Sequence, residues 1–189
     1  MKRIGLLLVP AVLLVSGCKQ EQPAAPAAQL TFHEIMKDEV DKNADELWDI
    51  SNKAIGDRAG LDPAKMTDET WTQIADRAEA VQRAALKIAT MNPIVVVKPG
   101  VKISDEGIPG GHTGAQVQER MDKNPDTLRD LANALARHTG DIAKFARAHD
   151  AAGAGPLIDQ LDGVCEDCHL EYWYPDQKEL VNQFRAQNK

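Results

Sequence analysis

The chain has 189 residues, 43% of them apolar, with a formal net charge of −7. That length suits one globular domain with a sizeable core, plus a targeting segment and a tail. The acidic balance argues against nucleic-acid binding and for basic or neutral partners.

Chain order begins with an export signal. Lys2 and Arg3 form a basic start, Ile4 to Val15 an apolar stretch broken by Gly5 and Pro10, and Val15-Ser16-Gly17-Cys18 ends it. The stretch is short for a bilayer span. Its ending resembles the bacterial lipobox, which implies that residues 1–17 are removed and Cys18 is acylated. Loss of Lys2 and Arg3 leaves 20 basic residues against 29 acidic, a net charge of −9. Several acyl chains give stable anchoring. Lys19 after the cysteine favours, by the same resemblance, the periplasmic side of the outer membrane. Residues 18–29, ending in KQEQPAAPAAQ, read as a mobile tether.

The domain expected over 30–189 opens on Thr31-x-x-Glu34, a capping-box pattern. Behind it Phe32, Ile35, Met36, Val40, Ala44, Leu47, Trp48 and Ser51 recur at three- and four-residue spacing, one apolar stripe expected to end by Gly56. A second helix is expected from Thr67, with Asp68 and Glu69 in its first turn. Its stripe is Trp71, Ile74, Ala75, Ala78, Val81, Ala85 and Ala89, and Asn92-Pro93 stops it. Residues 92–124 read as an insert, loop around Val95-Val96-Val97 and the following glycines, then a short helix over 114–123. Asn124-Pro125 reads as N-cap and first helical position. The third stripe is Leu128, Leu131, Ala132, Leu135, Thr139, Ile142, Ala143 and Ala146. Gly153-Ala154-Gly155-Pro156 is expected to separate it from a last helix carrying Leu157, Ile158, Leu161, Val164 and Cys168. Residues 174–189 read as a tail. Four amphipathic helices without paired strands predict an all-α, antiparallel four-helix bundle, whose many inner alanines leave room for a large cofactor.

Spacing alone lets Cys165 and Cys168 form a strained redox disulfide, half a zinc site or a haem attachment. The next residue decides among them. Cys165-Glu166-Asp167-Cys168-His169 is the C-x-x-C-H haem pattern. On a helix these positions are i, i+3 and i+4, so two sulfurs and an imidazole share one face. Zinc wants two further ligands, and the other histidines show no second paired spacing. A thioredoxin-type dithiol wants a βαβ context, which the stripes do not provide.

Four helices with Cys165-x-x-Cys168-His169-x-x-Tyr172 near the C-terminus resemble the class II c-type cytochromes, the cytochrome c-prime group and its six-coordinate relatives. The resemblance covers about residues 30–173 and is specific only at the haem motif. Trp173 departs from it, standing where these proteins often carry Arg or Lys. The resemblance implies one covalent haem c held by Cys165 and Cys168, with His169 as proximal iron ligand. It also implies a distal residue within about two turns of the start of the first helix, the place of Met36. Thioether ligation raises the reduction potential and suits a lipid-anchored, non-enzymatic electron carrier with redox-protein partners. The alternative is a five-coordinate gas binder for nitric oxide or carbon monoxide, with Met36 only packing. A second copy of the chain remains an option as partner. His33 and His112 are weaker ligand candidates, and Met91 is expected at a bundle end. His138 and His149 are expected to be half-buried and hydrogen-bonded, Trp48 and Trp71 to anchor the core. Arg77, Arg83 and Arg147 are expected on solvated faces, with haem propionates as the alternative role.

Overall fold

The computed structural model describes residues 29–56 and 60–187. The expected export signal, Cys18 and nearly all of the expected tether therefore lie outside the described residues. Those described are all-α and contain no strand; one isolated antiparallel bridge joins Ile55 to Leu61.

The first rod is built from three consecutive stretches: α1 (Phe32–Ile35), a π-helical segment (Met36–Asp41) and α2 (Lys42–Asn52). Thr31 caps it as expected. Its hydroxyl accepts from the Glu34 N–H at 3.2 Å while the Glu34 carboxylate accepts from the Thr31 N–H at 2.8 Å. The π-segment explains the stripe. Phe32, Met36, Val40, Ala44 and Trp48 are each four residues apart, and each such step overshoots an α-helical turn by about 40°. Over the whole rod that drift would carry the stripe onto the opposite face. The wider i→i+5 turn absorbs it, and all five residues line one cavity.

The second rod is α3 (Asp68–Ala89), capped by the Thr67 hydroxyl on the Thr70 N–H at 3.1 Å. Every residue of its expected stripe is buried. Then come α4 (Gly114–Lys123), α5 (Pro125–Arg147), α6 (Ala151–Tyr172) and, after a 3-10 turn at Pro175–Gln177, α7 (Lys178–Gln187). α3 packs along α5, α5 along α6, and α2 along α3, which makes a helical bundle.

Two sequence expectations are corrected. Gly153-Ala154-Gly155-Pro156 does not separate helices; it lies within the first turns of α6. The break comes earlier, at Ala148–Asp150, where His149 adopts a left-handed φ of 55° and Asp150 caps α6 through the Gly153 N–H at 3.0 Å. The glycines serve close packing instead. A Cβ on Gly153 would come within 2.4 Å of the Phe145 ring, and one on Gly155 within 3.4 Å of the Leu61 nitrogen. Second, most of the expected tail is helical, as α7, which leans on α6 through Arg185 to Glu166 and Asp167 and Lys178 to Glu171.

The insert is packed rather than draped. Val96, Ile103, Val117 and Met121 are buried in one cluster with Phe32, Ile35 and Tyr172. The insert's backbone is tied to the first rod, where the Phe32 and His33 N–H groups donate to the Val95 and Val96 carbonyls at 2.8 and 2.9 Å. Met91, expected at a bundle end, is in this same cluster. Among the described residues no helix is long and apolar enough to cross a membrane.

Candidate functional site

Cys165, Cys168 and His169 sit together on the last two turns of α6, and all three line one cavity of about 370 Å³. That volume falls in the range of about 300–1,000 Å³ typical of ligand pockets. Across it lies the first rod, which contributes Phe32, Met36, Val40, Ala44 and Trp48; α5 contributes Leu128, Leu131, Ala132 and Leu135. The walls are therefore aliphatic and aromatic. Asp41, Asp45 and Asp162 supply the lining carboxylates.

A second cavity of about 290 Å³ adjoins the first and shares Phe32, Met36, Asp41, Cys168 and His169 with it. Its other walls are His33, Lys37, Ser104, Asp105, Trp173 and Tyr174. Met36 and His169 thus belong to both spaces. Residues on helices far apart in the sequence are thus brought to one site.

Cys165 and Cys168 form no disulfide. Burial pushes both thiols up to about 12, helped at Cys165 by the charges of Asp162 and Asp41 and at Cys168 by Cys165 and Glu171. Activated redox dithiols need the opposite environment, one that lowers a thiol pKa. Among the described residues no group of three or more His, Cys, Asp or Glu side chains is placed to hold a metal ion.

His169 is framed by the residues that follow it. Its carbonyl accepts from the Trp173 and Tyr174 N–H groups, both at 2.8 Å. The Trp173 ring is tilted against the imidazole at 6.4 Å and also lies 5.5 Å from Phe32. The Tyr174 ring meets the imidazole edge-on at 6.4 Å and 86°. Tyr172, fully buried, donates its hydroxyl to the Asn124 carbonyl at 3.0 Å and so pins the end of α6 to the α4–α5 junction.

Asp41 was not foreseen as a site residue. It follows Val40 on the π-segment and lines both cavities. Desolvation raises its pKa, Asp45 adds to the rise, and His169 and His33 oppose it. The signal available in the sequence was a carboxylate adjoining a stripe of uninterrupted four-residue steps. Once the rod takes a π-turn, that flanking position is swung toward the cavity.

The remaining candidates are placed elsewhere. His33 lines only the second cavity. His112 lies in the insert, its Nδ1 buried without a hydrogen-bond partner. The half-buried His138 meets the Leu157 carbonyl through Nε2 at 2.7 Å, and His149 stacks on Trp71 at 5.5 Å. Trp71 is buried, whereas Trp48 is a half-buried cavity wall. Arg77 pairs with Glu46 at 3.0 Å, Arg83 lies 3.9 Å from Glu79, and Arg147 bridges Asp76 and Glu79. None of the three arginines lines either cavity.

Compared with models of protein families, with curated proteins and with solved structures, the chain matches none.

Proposed function

We propose that this chain is a c-type cytochrome of the class II kind, an electron carrier rather than an enzyme. In this reading the bundle is an antiparallel four-helix one, made by the first rod, α3, α5 and α6. Cys165 and Cys168 would hold one haem covalently, and His169 would ligate its iron from α6. Met36 would be a second protein ligand to the iron, and Asp41 would lie in the wall of the same cavity. Bound haem supplies one-electron exchange at iron, with the axial ligands and the surrounding dielectric setting the potential.

One observation carries the reading: Cys165, Cys168, His169 and Met36, from opposite ends of the domain, line a single apolar cavity. The donor set also fits the group chemically. Two thiols and an imidazole at i, i+3 and i+4 suit covalent attachment with ligation from the same face. A thioether on a facing helix could supply a further iron ligand, and the aliphatic walls from the first rod and α5 suit a large apolar cofactor. The covalent links would prevent loss of the group in an exported protein. The signal segment and Cys18 extend the proposal to a lipid-anchored protein on the periplasmic side of a bacterial membrane, the outer one by the residue after Cys18. Its partners would be other redox proteins or a second copy of the chain.

Absorption and electron-spin-resonance spectra of the oxidised protein test this. Methionine ligation is expected to give a low-spin centre with a sulfur-to-iron charge-transfer band that Met36→Ala abolishes. A band untouched by the substitution refutes ligation by Met36. A high-spin resting protein that takes up carbon monoxide without displacing a ligand refutes the carrier reading in favour of a gas binder.

A further inference from the structure

We propose that Asp105, acting through Tyr174, is a positioning residue for His169 and sets the charge beside the iron centre. The proposal rests on the haem reading above and adds to it a role for the insert. Tyr174 is held on two sides. Its N–H donates to the His169 carbonyl at 2.8 Å, and its ring stands edge-on to the imidazole at 6.4 Å. Its hydroxyl donates to the Asp105 carboxylate. Asp105 therefore fixes the far end of the ring that packs against the ligating imidazole.

The insert delivers this carboxylate at a conformational cost. Asp105 is a non-glycine residue with φ at 61°, in the left-handed region that Asp and Asn tolerate better than other residues with a Cβ. Its carbonyl lies so close to Gly111 that a Cβ there would approach it to 2.4 Å. The His112 N–H donates to the Trp173 carbonyl at 3.1 Å, a second tie between this loop and the segment after His169. Ser104 and Asp105 then wall the second cavity, which Met36, Cys168 and His169 also line. Nothing in the local sequence requires a loop 64 residues before His169 to reach it. The two ties bring a negative charge to the wall of the second cavity.

A carboxylate beside the centre favours the more positive, oxidised state of the iron. Asp105→Asn keeps the side-chain shape and the left-handed backbone while deleting the charge. Because Asp105 is exposed, screening limits the effect. We expect the oxidised-to-reduced equilibrium to move about threefold toward the reduced form, roughly 28 mV at about 59 mV per tenfold change. The difference shrinks as salt rises from about 0.05 to 0.5 M. Tyr174→Phe removes the hydroxyl that partly neutralises Asp105 and is expected to move the equilibrium the opposite way. It is also expected to alter the spin-resonance anisotropy that reports imidazole orientation.

The experiment is potentiometry and spin resonance on the purified holoprotein and the two variants. Haem retention after denaturation is established first in the parent protein, and its absence refutes the haem reading together with this proposal. With haem retained, opposite shifts of the two variants support the assignment. An unchanged potential in Asp105→Asn overturns it, and so do shifts of both variants in one direction, the signature of a generally loosened fold.

Discussion

Gly153→Ala tests the corner that sets where α6, and with it Cys165, Cys168 and His169, leaves α5. In an exposed helix this change is worth up to about 1 kcal/mol of added stability, because alanine loses less backbone entropy. Here the new Cβ would meet the Phe145 Cδ1 at 2.4 Å and Cγ at 2.6 Å. The clash reaches the root of the ring as well as its edge, so rotating the ring cannot relieve it and the backbone must shift. Overpacking of this kind costs about 1–3 kcal/mol, which outweighs the propensity gain. A net loss of up to about 2 kcal/mol follows, lowering the melting temperature by up to about 8 °C for a chain of this size. The assay is urea unfolding followed by far-ultraviolet dichroism, on Gly153→Ala, Phe145→Ala and the double variant. The double variant should recover about 1–2 kcal/mol relative to the sum of the singles, since the alanine then occupies space that the ring has left. A single Gly153→Ala variant more stable than its parent, or additive single costs, would refute the close-packing account of this corner.

Two further outcomes concern the other end of α6. Glu34 is held down at about 2 by the Lys98 ammonium first and then by the Thr31 N–H and hydroxyl; a depressed carboxylate contributes stability that is complete above its unfolded value of about 4.5 and is lost as pH falls toward 2. Glu34→Gln should therefore be less stable than the parent at pH 6 and converge on it by pH 2, with the gap narrowed by salt; a gap independent of pH, measured by urea unfolding across that window, contradicts the assignment. Tyr172→Phe deletes one hydrogen bond, that to the Asn124 carbonyl, without opening a cavity, and should cost about 0.5–1.5 kcal/mol with an unchanged denaturant slope. A changed slope would mean that the end of α6 had come loose rather than lost one bond.

What could be read from the chain was local chemistry. Thr31 and Glu34 act on each other across one turn, and Pro125 supplies the φ of a first helical position, so the starts of the first rod and α5 were legible. The α3 stripe was legible too, because alanines, Ile74 and Val81 repeat with the helical period. Cys165, Cys168 and His169 lie within four residues, and any helix puts them on one face.

Contacts across the domain decided the rest. Met36 reaches the cavity lined by Cys165, Cys168 and His169 because a π-turn cancels the drift of a four-residue repeat, and bonding between turns does not reveal that before the rod is packed. The Gly153–Pro156 run resembles a loop by composition. It is helical because the Asp150 cap starts α6 before it and because Phe145 and Leu61 fill the space that side chains there would take. The approach of Asp105 to Tyr174 joins residues 69 apart in sequence. Composition and periodicity record each residue's preference for its own turn; which distant surfaces meet follows from burying all the stripes at once. The shared face of Cys165, Cys168 and His169 was therefore decided by sequence alone, and the residues surrounding it by the tertiary fold.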